Sequence, residues 1–471
     1  KTKILLIAFS ITILLLCLTP AQAAPQEDLI TQMPSDYPYD ITEHKMYSGY
    51  LDIKDTPTKK LHYVYLEAQE EPEKAPLLLW LNGGPGCSSM LGLADENGPV
   101  FFEEQSTEMK INPYAWNKLA NMIYIESPAG VGFSIAERNQ DFYTSDEISG
   151  KDNLSAIHSF FEKFPELKAK DFYVSGESYA GIYVPYIAKN IIEYNERTEQ
   201  TGEDKINLKG VLIGNGVTDW SVDTAPAFAD FAYEHGLYPY ELRQKYLDNE
   251  CRQNPASAAC RSVSSQIQDL TQGINIYDIY RKCYIAETQI EETNHLQYTP
   301  WLAQTAFFNF VSLTQTPERR FLDSLPPCTD GKGDQWWYNR EDVKVALNVD
   351  PSIKWDMCNF KFQYTYDVGT KGSLFIYPKM MESGLRIWKY SGDTDGAVPF
   401  NGTREWIHKL SLPIRNEWRR WSINTEEVAG FVVDYEGLTF LTVKGTGHMV
   451  PQWKRAEAFH MLEKYLKGED L

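Results

Sequence analysis

Six short apolar runs, each bounded by glycine, proline or polar residues, constrain the fold of this chain more than any other feature of its sequence. They are PLLLWL at 76–81, MIYI at 122–125, FYV at 172–174, VLI at 211–213, IWKY at 387–390 and TFLTV at 439–443. Continuous apolar runs of this length are typical of strands buried on both faces of a sheet. Because helical patterns lie between several runs, notably at 152–164 and 183–194, the sequence predicts an α/β fold with a mostly parallel sheet.

The region from 220 to 335 interrupts this alternation. It contains four of the seven cysteines, amphipathic stretches such as 240–247, and few apolar runs. A helical pattern resumes at 339–349. We therefore predict that residues 24–219 and 336–471 are two parts of one α/β core, and that 220–335 is a helical insertion, or cap, between them. A chain of 471 residues is long enough to bury a large core of this kind.

The first 23 residues have the pattern of a secretory signal peptide. Lys1 and Lys3 precede an uncharged apolar run at 4–18, and Ala21-Gln22-Ala23 forms a small-x-small cleavage motif. The alternative is an uncleaved membrane anchor, but the run is shorter than the ~20 residues that span a bilayer. We expect a mature protein of the secretory pathway without a stable membrane anchor. Its destination is either a vacuole or lysosome, or the cell exterior.

The cysteine count agrees with that compartment. Loss of residues 1–23 would remove Cys17 and leave six cysteines, an even number that predicts three disulfides in a secretory chain. Cys251 and Cys260 are near each other in sequence, so we expect them to pair locally. Two Asn-x-Ser/Thr triplets, at Asn153 and Asn401, are candidate glycosylation sites.

The charge balance excludes one class of partner. The chain has 45 basic and 65 acidic residues and a net charge of −20, which argues against binding DNA or RNA. An acidic surface suits an acidic compartment, where carboxylates begin to lose their charge. We expect neither a metal ion nor an organic cofactor.

The stretch Gly176-Glu177-Ser178-Tyr179-Ala180 is the strongest short signal for chemistry. It follows the apolar run at 172–174 and precedes a helical pattern, as in the nucleophile elbow G-x-S-x-G, here with Ala in the last position. A sharp turn between strand and helix exposes a serine hydroxyl and directs backbone N–H groups at the space before it. The alternative is an ordinary tight turn with a solvated serine.

A nucleophilic serine needs a base and an acid, which follow it in the order acid, then histidine, in folds of this kind. His448 follows the last apolar run in a glycine-rich turn. The four other later histidines lie in helical patterns or in the insertion: His235, His295, His408 and His460. For the acid, Asp393 and Asp395 both follow the run at 387–390. The residues alone favour Asp395 slightly, because it lies further out on the loop.

A glycine-rich segment, Asn82-Gly83-Gly84-Pro85-Gly86-Cys87-Ser88-Ser89, follows the first apolar run. Its glycines allow backbone N–H groups to approach a ligand closely, as an oxyanion hole requires. The alternative is a phosphate-binding loop, but the lysine of a P-loop is missing and the glycine spacing differs from G-x-G-x-x-G.

Four motifs together resemble the serine carboxypeptidase family, which includes carboxypeptidase Y and cathepsin A. They are NGGPGCSS at 82, GESYAG at 176, SGDTDGAVP at 391 and GTGHMVP at 445. They lie in the family's order and span most of the chain. The resemblance implies an α/β-hydrolase fold with a helical cap. It also implies release of single C-terminal residues from peptides and proteins at acidic pH, through a Ser-His-Asp triad and an acyl-enzyme.

The resemblance assigns roles to individual residues. Ser178 would be the nucleophile, His448 the base and Asp395 the orienting acid, with a structural role for Asp393. Substrate-binding roles are implied for eight groups: the oxyanion-hole amides of Gly84 and Tyr179, carboxylate-binding Asn82, Gly83, Glu96 and Glu177, and Tyr179 and Met449 as pocket walls. The implied disulfides are Cys87–Cys358, Cys251–Cys260 and Cys283–Cys328.

One departure from the family is visible at Arg455. Many relatives have proline seven residues after the histidine, where this chain has arginine. The departure bears on the geometry of the loop after the catalytic turn more than on the chemistry.

The two glutamates make a physical prediction. If both were ionised, they would repel the carboxylate of a substrate, whereas a protonated carboxyl group donates a hydrogen bond to it. Neighbouring carboxyls raise each other's pKa, so the pair would share a proton. Binding should therefore weaken as the pH rises.

Two other functions use the same scaffold. One is acyl transfer from a sugar ester to an alcohol, but Glu177 favours the peptidase because transferase relatives tend to have Asp there. The other is a protective or binding role towards partner proteins. The preferred C-terminal residue and the choice between monomer and homodimer are left open by the sequence.

Overall fold

The computed structural model of the protein describes residues 24–201, 204–284, 328–359, 363–365, 372–424 and 427–471. The predicted signal peptide at 1–23 and the part of the predicted cap at 285–327 lie outside these residues. Within them, no helix is both long and apolar enough to cross a membrane.

The described strands are mostly short. They are β1 (Met46–Asp52), β2 (Lys59–Leu66), β3 (Leu77–Leu81), β4 (Val100–Phe102), β5 (Met109–Ile111), β6 (Asn121–Ile125), β7 (Ile135–Ala136), β8 (Tyr143–Ser145), β9 (Phe172–Glu177), β10 (Leu208–Gly214), β11 (Gln363–Thr365), β12 (Arg386–Gly392), β13 (Ile414–Trp421), β14 (Gly430–Tyr435) and β15 (Leu438–Val443).

The described α-helices vary more in length, and a π-helical turn at Gly92–Glu96 accompanies them. They are α1 (Asp146–Lys163), α2 (Ala180–Thr201), α3 (Ala225–Glu234), α4 (Tyr240–Asp248), α5 (Ala258–Leu270), α6 (Lys332–Tyr338), α7 (Glu341–Ala346), α8 (Tyr377–Glu382), α9 (Phe400–Lys409), α10 (Val450–Trp453) and α11 (Arg455–Lys467).

A central sheet organises the molecule. Its strand order is β1-β2-β6-β3-β9-β10-β12-β15-β14-β13, with β7 beside β2. The six strands from β6 to β15 pair in parallel, and antiparallel pairs flank them on both sides. These six strands contain the six apolar runs of the sequence, so the prediction of a mostly parallel α/β sheet is confirmed.

Both faces of the sheet are covered, which explains the apolar runs. Along β3, Leu77, Leu79 and Leu81 belong to a buried cluster that includes residues of α1 and α2. Leu78 and Trp80 point to the opposite face and join a second cluster with residues of α6 and α11. Successive side chains of a strand alternate between faces, so every position of β3 requires an apolar residue.

The predicted cap contributes a smaller core of its own. Helices α3, α4 and α5 pack around Phe231, Leu242 and Val263, and the Cys251–Cys260 disulfide closes the connection between α4 and α5. Helix α6, at the end of the predicted cap, packs instead into the sheet-covering cluster through Trp337. The helix predicted at 339–349 is shorter than expected and ends at Ala346.

The three implied disulfides are present. Cys87–Cys358 joins the loop after β3 to a segment 271 residues later, and Cys283–Cys328 joins the middle of the predicted cap to its C-terminal part. The former therefore fixes the glycine-rich loop to the second part of the core.

The glycosylation prediction at Asn153 is wrong. Asn153 lies inside α1 with 1% of its surface exposed, and its amide donates to Ser127 Oγ and to Ser149 O, both at 2.8 Å. A glycan has no room there in the folded protein. Asn401 is half-buried at the start of α9 and stays a prediction.

Candidate active site

The polar motifs of the sequence converge at one edge of the sheet. The carboxyl ends of parallel strands meet at the same edge, which is the usual ligand-binding edge of an open α/β sheet. Residues after β3, β9, β10, β12 and β15 therefore become neighbours, although they are separated by up to several hundred positions in sequence.

Ser178 occupies a tight turn between β9 and α2. Its φ is +64°, and its N–H donates to the Gly214 carbonyl at 3.0 Å. A Cβ at Gly176 would lie 2.2 Å from the Leu81 carbonyl oxygen, and one at Gly181 would lie 2.2 Å from the Val217 carbonyl oxygen. The small residues beside the serine are therefore required by the close packing of the turn, as expected for an elbow.

His448 faces the same cavity as Ser178. It follows β15, and its N–H donates to the Tyr277 carbonyl at 2.6 Å, so a residue of the predicted cap fixes its backbone. Its Nδ1 is 2.8 Å from Asp395 Oδ2. Its Nε2 is buried and has no hydrogen-bond partner among the described residues. The ring is thus held at Nδ1, while Nε2, which makes no hydrogen bond to Ser178 or to any other described residue, is left to accept a proton.

Asp395 is the carboxylate that contacts the histidine. It is fully buried, and besides His448 it accepts hydrogen bonds from Asn215 Nδ2 at 2.7 Å, Ala397 N at 2.8 Å and Val398 N at 3.2 Å. These donors replace the water that burial removes from the carboxylate. The carboxylate is therefore well placed to orient and stabilise an imidazolium.

Asp393, the alternative acid, performs a different task. Its Oδ1 accepts from the Gly445 N–H at 2.6 Å, which ties the end of β12 to the turn that bears His448. Burial raises the pKa of this carboxyl. The structure thus places Asp395 against the histidine and Asp393 in the supporting turn.

The glycine-rich loop packs directly against the elbow. A Cβ at Gly83 would lie 2.4 Å from the Tyr179 backbone N and 2.7 Å from Ser178 Cβ, so no larger residue fits. Gly84 has a φ of +112°, which favours glycine. The loop therefore brings its own backbone to the serine, where an oxyanion hole requires N–H donors.

A buried amide and two buried carboxyls lie beside this loop. Asn82 Nδ2 donates to Glu96 Oε1 at 2.7 Å and to Glu177 Oε1 at 3.3 Å. Asn82 Oδ1 accepts from Trp80 Nε1 at 2.9 Å and from Gly92 N at 3.1 Å, which fixes the orientation of the amide. We call Asn82, Glu96 and Glu177 the carboxyl cluster.

The two carboxyls of this cluster are held in a state that favours protonation. Burial raises the pKa of Glu96. Burial and then the negative charge of Glu96 raise the pKa of Glu177 well above its usual range. Glu96 Oε2 and Glu177 Oε2 have no other hydrogen-bond partner among the described residues. Two buried acids with few donors share a proton more readily than they both ionise.

The site opens into a cavity of about 530 Å³, within the range of small-ligand pockets. Ser178, His448, Met449 and both glutamates line it. The Tyr179 ring does not: it is 1% exposed, and its hydroxyl donates to Asp146 at 2.6 Å. Met449 therefore lies where a pocket wall is expected. The Tyr179 side chain is buried away from the cavity and does not match the pocket-wall role implied for it.

Four residues of the site escaped the sequence analysis. Asn215 supports Asp395, Tyr277 supports His448, and Asp95 and Asp334 form a second buried carboxyl pair that lines the cavity. The sequence signal for Asn215 was its place just after the VLI run, next to Gly214. In the structure it lies in a turn and has a φ of +41°. The other three stand outside any recognisable motif.

The described residues contain no group of three or more His, Cys, Asp or Glu arranged to hold a metal ion. The fold is that of an α/β hydrolase. Ser178, His448 and Asp395 lie at its ligand-binding edge, as the catalytic residues of a serine hydrolase do. The chain belongs to the serine carboxypeptidase family, whose model matches residues 36–468. It is thereby a serine-type carboxypeptidase, a hydrolase of peptides.

Curated relatives match across nearly the whole chain. Serine carboxypeptidase-like 32 of Arabidopsis thaliana is 35% identical over 450 residues, covering 94% of this chain and 92% of that protein. Serine carboxypeptidase 1 of Hordeum vulgare is 33% identical over 482 residues, covering 95% and 94%. The crystal structure of Kex1Δp, a prohormone-processing carboxypeptidase from Saccharomyces cerevisiae, shares the fold. Its TM-score is 0.71 at 22% identity, with coverage of 94% and 95%.

Proposed function

We propose that the protein removes single residues from the free C-terminus of peptides and proteins under acidic conditions, through an acyl-enzyme on Ser178. The observation that carries this proposal is the carboxyl cluster, which lies in the same cavity as Ser178 and His448. Without this cluster, the cavity would lack a group that distinguishes a terminal carboxylate from an internal peptide bond. The triad supplies the chemistry, and the cluster sets the position of the cut.

The first half of the proposed reaction forms the acyl-enzyme. Ser178 Oγ attacks the carbonyl carbon of the last peptide bond while His448 Nε2 takes its proton. Backbone N–H groups of Gly84 and Tyr179 receive the negative charge that develops on the carbonyl oxygen. His448 then gives the proton to the departing amine, the C–N bond breaks, and the last residue leaves as a free amino acid.

The second half reverses these roles. A water molecule gives a proton to His448 and attacks the ester on Ser178, and the proton returns to Ser178 as the shortened peptide leaves. Asp395 stabilises the imidazolium in both halves, because it is buried against Nδ1 at 2.8 Å. No step needs a metal ion or an organic cofactor to balance.

The carboxyl cluster explains a restriction to chain ends. The terminal carboxylate of a peptide accepts a hydrogen bond from a protonated glutamate of the pair, with the Gly83 backbone beside it. Asn82 Nδ2 also donates to it, in place of its 3.3 Å hydrogen bond to Glu177. An internal peptide bond would bring a neutral amide to this place and leave the buried donors poorly paired, which is costly.

Ser178→Ala tests the proposal. Turnover of a blocked dipeptide should fall by about 10³-fold or more while the protein stays folded, because removing the nucleophile removes the acyl-enzyme route. A fluorophosphonate should label wild type at Ser178 and leave the variant unlabelled. Activity retained by a folded variant would refute the assignment of Ser178.

We further propose that the protein acts in the secretory pathway, with a vacuole or lysosome and the cell exterior as alternatives. Three disulfides support it, because such bonds persist in oxidising compartments. Treatment with an endoglycosidase tests one consequence: a shift in mass that is lost in Asn401→Gln would place a glycan there. No shift in protein from a secreting host would remove that site.

A further inference from the structure

Arg455 is the residue at which the chain departs from the family pattern, and the structure places it in the active-site cavity. It is the first residue of α11, seven positions after His448. Its guanidinium carbon lies 4.1 Å from the centre of the Phe101 ring, and its Nη2 donates to the Asp95 carbonyl at 2.9 Å. Stacking and this hydrogen bond fix the guanidinium at the cavity wall.

The guanidinium has no carboxylate partner. In the part of the chain that the structure describes, no Asp or Glu oxygen forms an ion pair with it within 4.0 Å, although Asp95 and Glu96 are close enough for their charges to act on it. Its Nε is buried and has no hydrogen-bond partner there either. Burial lowers the pKa of this arginine. A largely buried cation without a counter-ion is costly unless an anion binds beside it.

Arg281 offers a contrast within the same cavity. Its Nη2 is 3.5 Å from Glu104 Oε1, and its guanidinium stacks on Trp453 at 4.9 Å. Its charge is therefore already balanced by the protein. Of the two arginines, only Arg455 has a buried N–H group without a hydrogen-bond acceptor among the described residues.

The nearby acids do not form an ion pair with Arg455. Glu96 accepts a hydrogen bond from Asn82 instead, and burial raises its pKa. Asp95 and Asp334 turn to each other, and burial raises the pKa of Asp95 to about 7 and that of Asp334 well above its usual range. Glu103 is paired with Lys110. Asp330, at the rim, accepts hydrogen bonds from Gln105. Under acidic conditions this corner of the cavity therefore carries a positive charge at Arg455 beside a largely neutral acid pair.

The corner adjoins the carboxyl cluster. Asp95, whose carbonyl Arg455 binds, is the neighbour of Glu96 in the π-helical turn. The side chain of a peptide's last residue branches from the carbon next to its terminal carboxylate. With that carboxylate at the cluster, the side chain would lie close by. Arg455 lines the same cavity and is near enough to Glu96 for the charge of Glu96 to act on it.

Resting on the carboxypeptidase activity proposed above, we propose that Arg455 is a specificity-determining residue that favours substrates whose last residue is Asp or Glu. The side-chain carboxylate of that residue would accept hydrogen bonds from the guanidinium. It would supply the counter-ion that the protein itself omits.

Two blocked dipeptides that differ only in the last residue, Glu or Gln, test this proposal at a mildly acidic pH of about 5.5, which lies above the ordinary glutamate pKa of about 4.3 and leaves the Glu side chain ionised. They match in size and differ in charge. Wild type should hydrolyse the Glu peptide with the higher kcat/KM, and Arg455→Gln should lower the Glu-to-Gln ratio by about tenfold. Because the ratio is measured on one protein, a general loss of active enzyme cancels. Arg281→Gln is the matched control, and its ratio should stay near that of wild type.

An equal loss on both peptides in Arg455→Gln would overturn the proposal, because it would assign the arginine to the main-chain carboxylate or to folding. A Glu-to-Gln ratio of one in wild type would overturn it as well. Failure of the underlying activity looks different: wild type would then cleave neither peptide. In that case the Ser178→Ala protein can still test the inference through peptide binding. It should bind the Glu peptide more tightly than the Gln peptide, and adding Arg455→Gln should reduce that preference.

Discussion

Two buried carboxyl environments lie at the same edge of the sheet and differ in the hydrogen bonds that they receive. Asp395 accepts hydrogen bonds from Asn215, His448 and two backbone N–H groups. Glu96 and Glu177 share one amide, that of Asn82, and the outer oxygen of each has no further partner among the described residues.

The two environments differ in the number of hydrogen-bond donors around a buried carboxyl group. The donors around Asp395 replace the water that burial removes, and the carboxylate contacts the histidine that must become an imidazolium. The glutamate pair has few such donors. Burial raises the pKa of both glutamates, and the negative charge of Glu96 raises that of Glu177 further. The well-solvated acid therefore supports the base, and the pair with raised pKa values receives an anion.

The largest test of this comparison removes the charge at Asp395. Asp395→Asn should lower kcat by about 10⁴-fold, because a neutral amide stabilises neither the imidazolium nor the required tautomer of His448. Steady-state kinetics on a blocked dipeptide measure it. Asp393→Asn is the control, since that carboxyl contacts the Gly445 N–H, and its loss should be far smaller. A reversal of the two effects in folded proteins would assign the acid to Asp393.

The second test fixes one glutamate in a neutral form. Wild-type KM should rise with pH as the pair loses its shared proton, by up to about tenfold per pH unit above the raised pKa. Glu177→Gln cannot lose a proton, so its KM should depend less on pH. Glu103→Gln, which alters a cavity carboxyl paired with Lys110, is the matched control. An unchanged KM slope in Glu177→Gln would separate the glutamates from carboxylate binding.

The third test weakens the support of Asp395 without touching its charge. Asn215→Ala removes a 2.7 Å hydrogen bond to Asp395 Oδ2 and the acceptor for the Gly392 N–H at 3.2 Å. We expect kcat to fall by about tenfold, because one of several donors to the carboxylate is lost. Kinetics and a thermal melt together check it. A loss as large as that of Asp395→Asn would mean that Asn215 has a more direct role.

The smallest test concerns stability. The pKa of Glu177 is raised in the folded protein, so its contribution is complete below the ordinary carboxyl pKa and is lost as pH rises towards the raised value. Glu177→Gln removes that loss. Relative to wild type, its free energy of unfolding should therefore increase from acidic to neutral pH, by on the order of 1 kcal/mol. Denaturant titrations at two pH values measure it, and a difference independent of pH would contradict the raised pKa.

The sequence predicted the parallel centre of the sheet because burial on both faces demands unbroken apolar runs there. The antiparallel flanks escaped, since an edge strand need not be apolar: β13 reads IRNEWRRW and exposes most of its side chains. Helix α1 was predicted from its apolar face, while the burial of Asn153 within it was not. An Asn-x-Ser triplet carries no information on which side of a helix it lies.

The site was predictable where its residues stand in motifs at strand ends, as Ser178 and His448 do. The residues could not separate Asp393 from Asp395 well, because the two differ only in where their side chains point beyond the strand. Asn215 and Asp334 have no local pattern, and folding alone brings them to the site. Arg455 was visible as a departure, but its lack of a counter-ion is a property of three-dimensional packing.

Recognition of the chain end by Glu96 and Glu177 can be measured through the pH dependence of kcat/KM for a blocked dipeptide with a free terminal carboxylate, compared with the same peptide bearing a C-terminal amide. We expect the acid-to-amide ratio of kcat/KM to be highest under acidic conditions and to fall as the pH rises and the pair of Glu96 and Glu177 ionises. A ratio that stays flat, or rises steadily towards alkaline pH, would contradict the carboxyl cluster as the site that recognises the chain end.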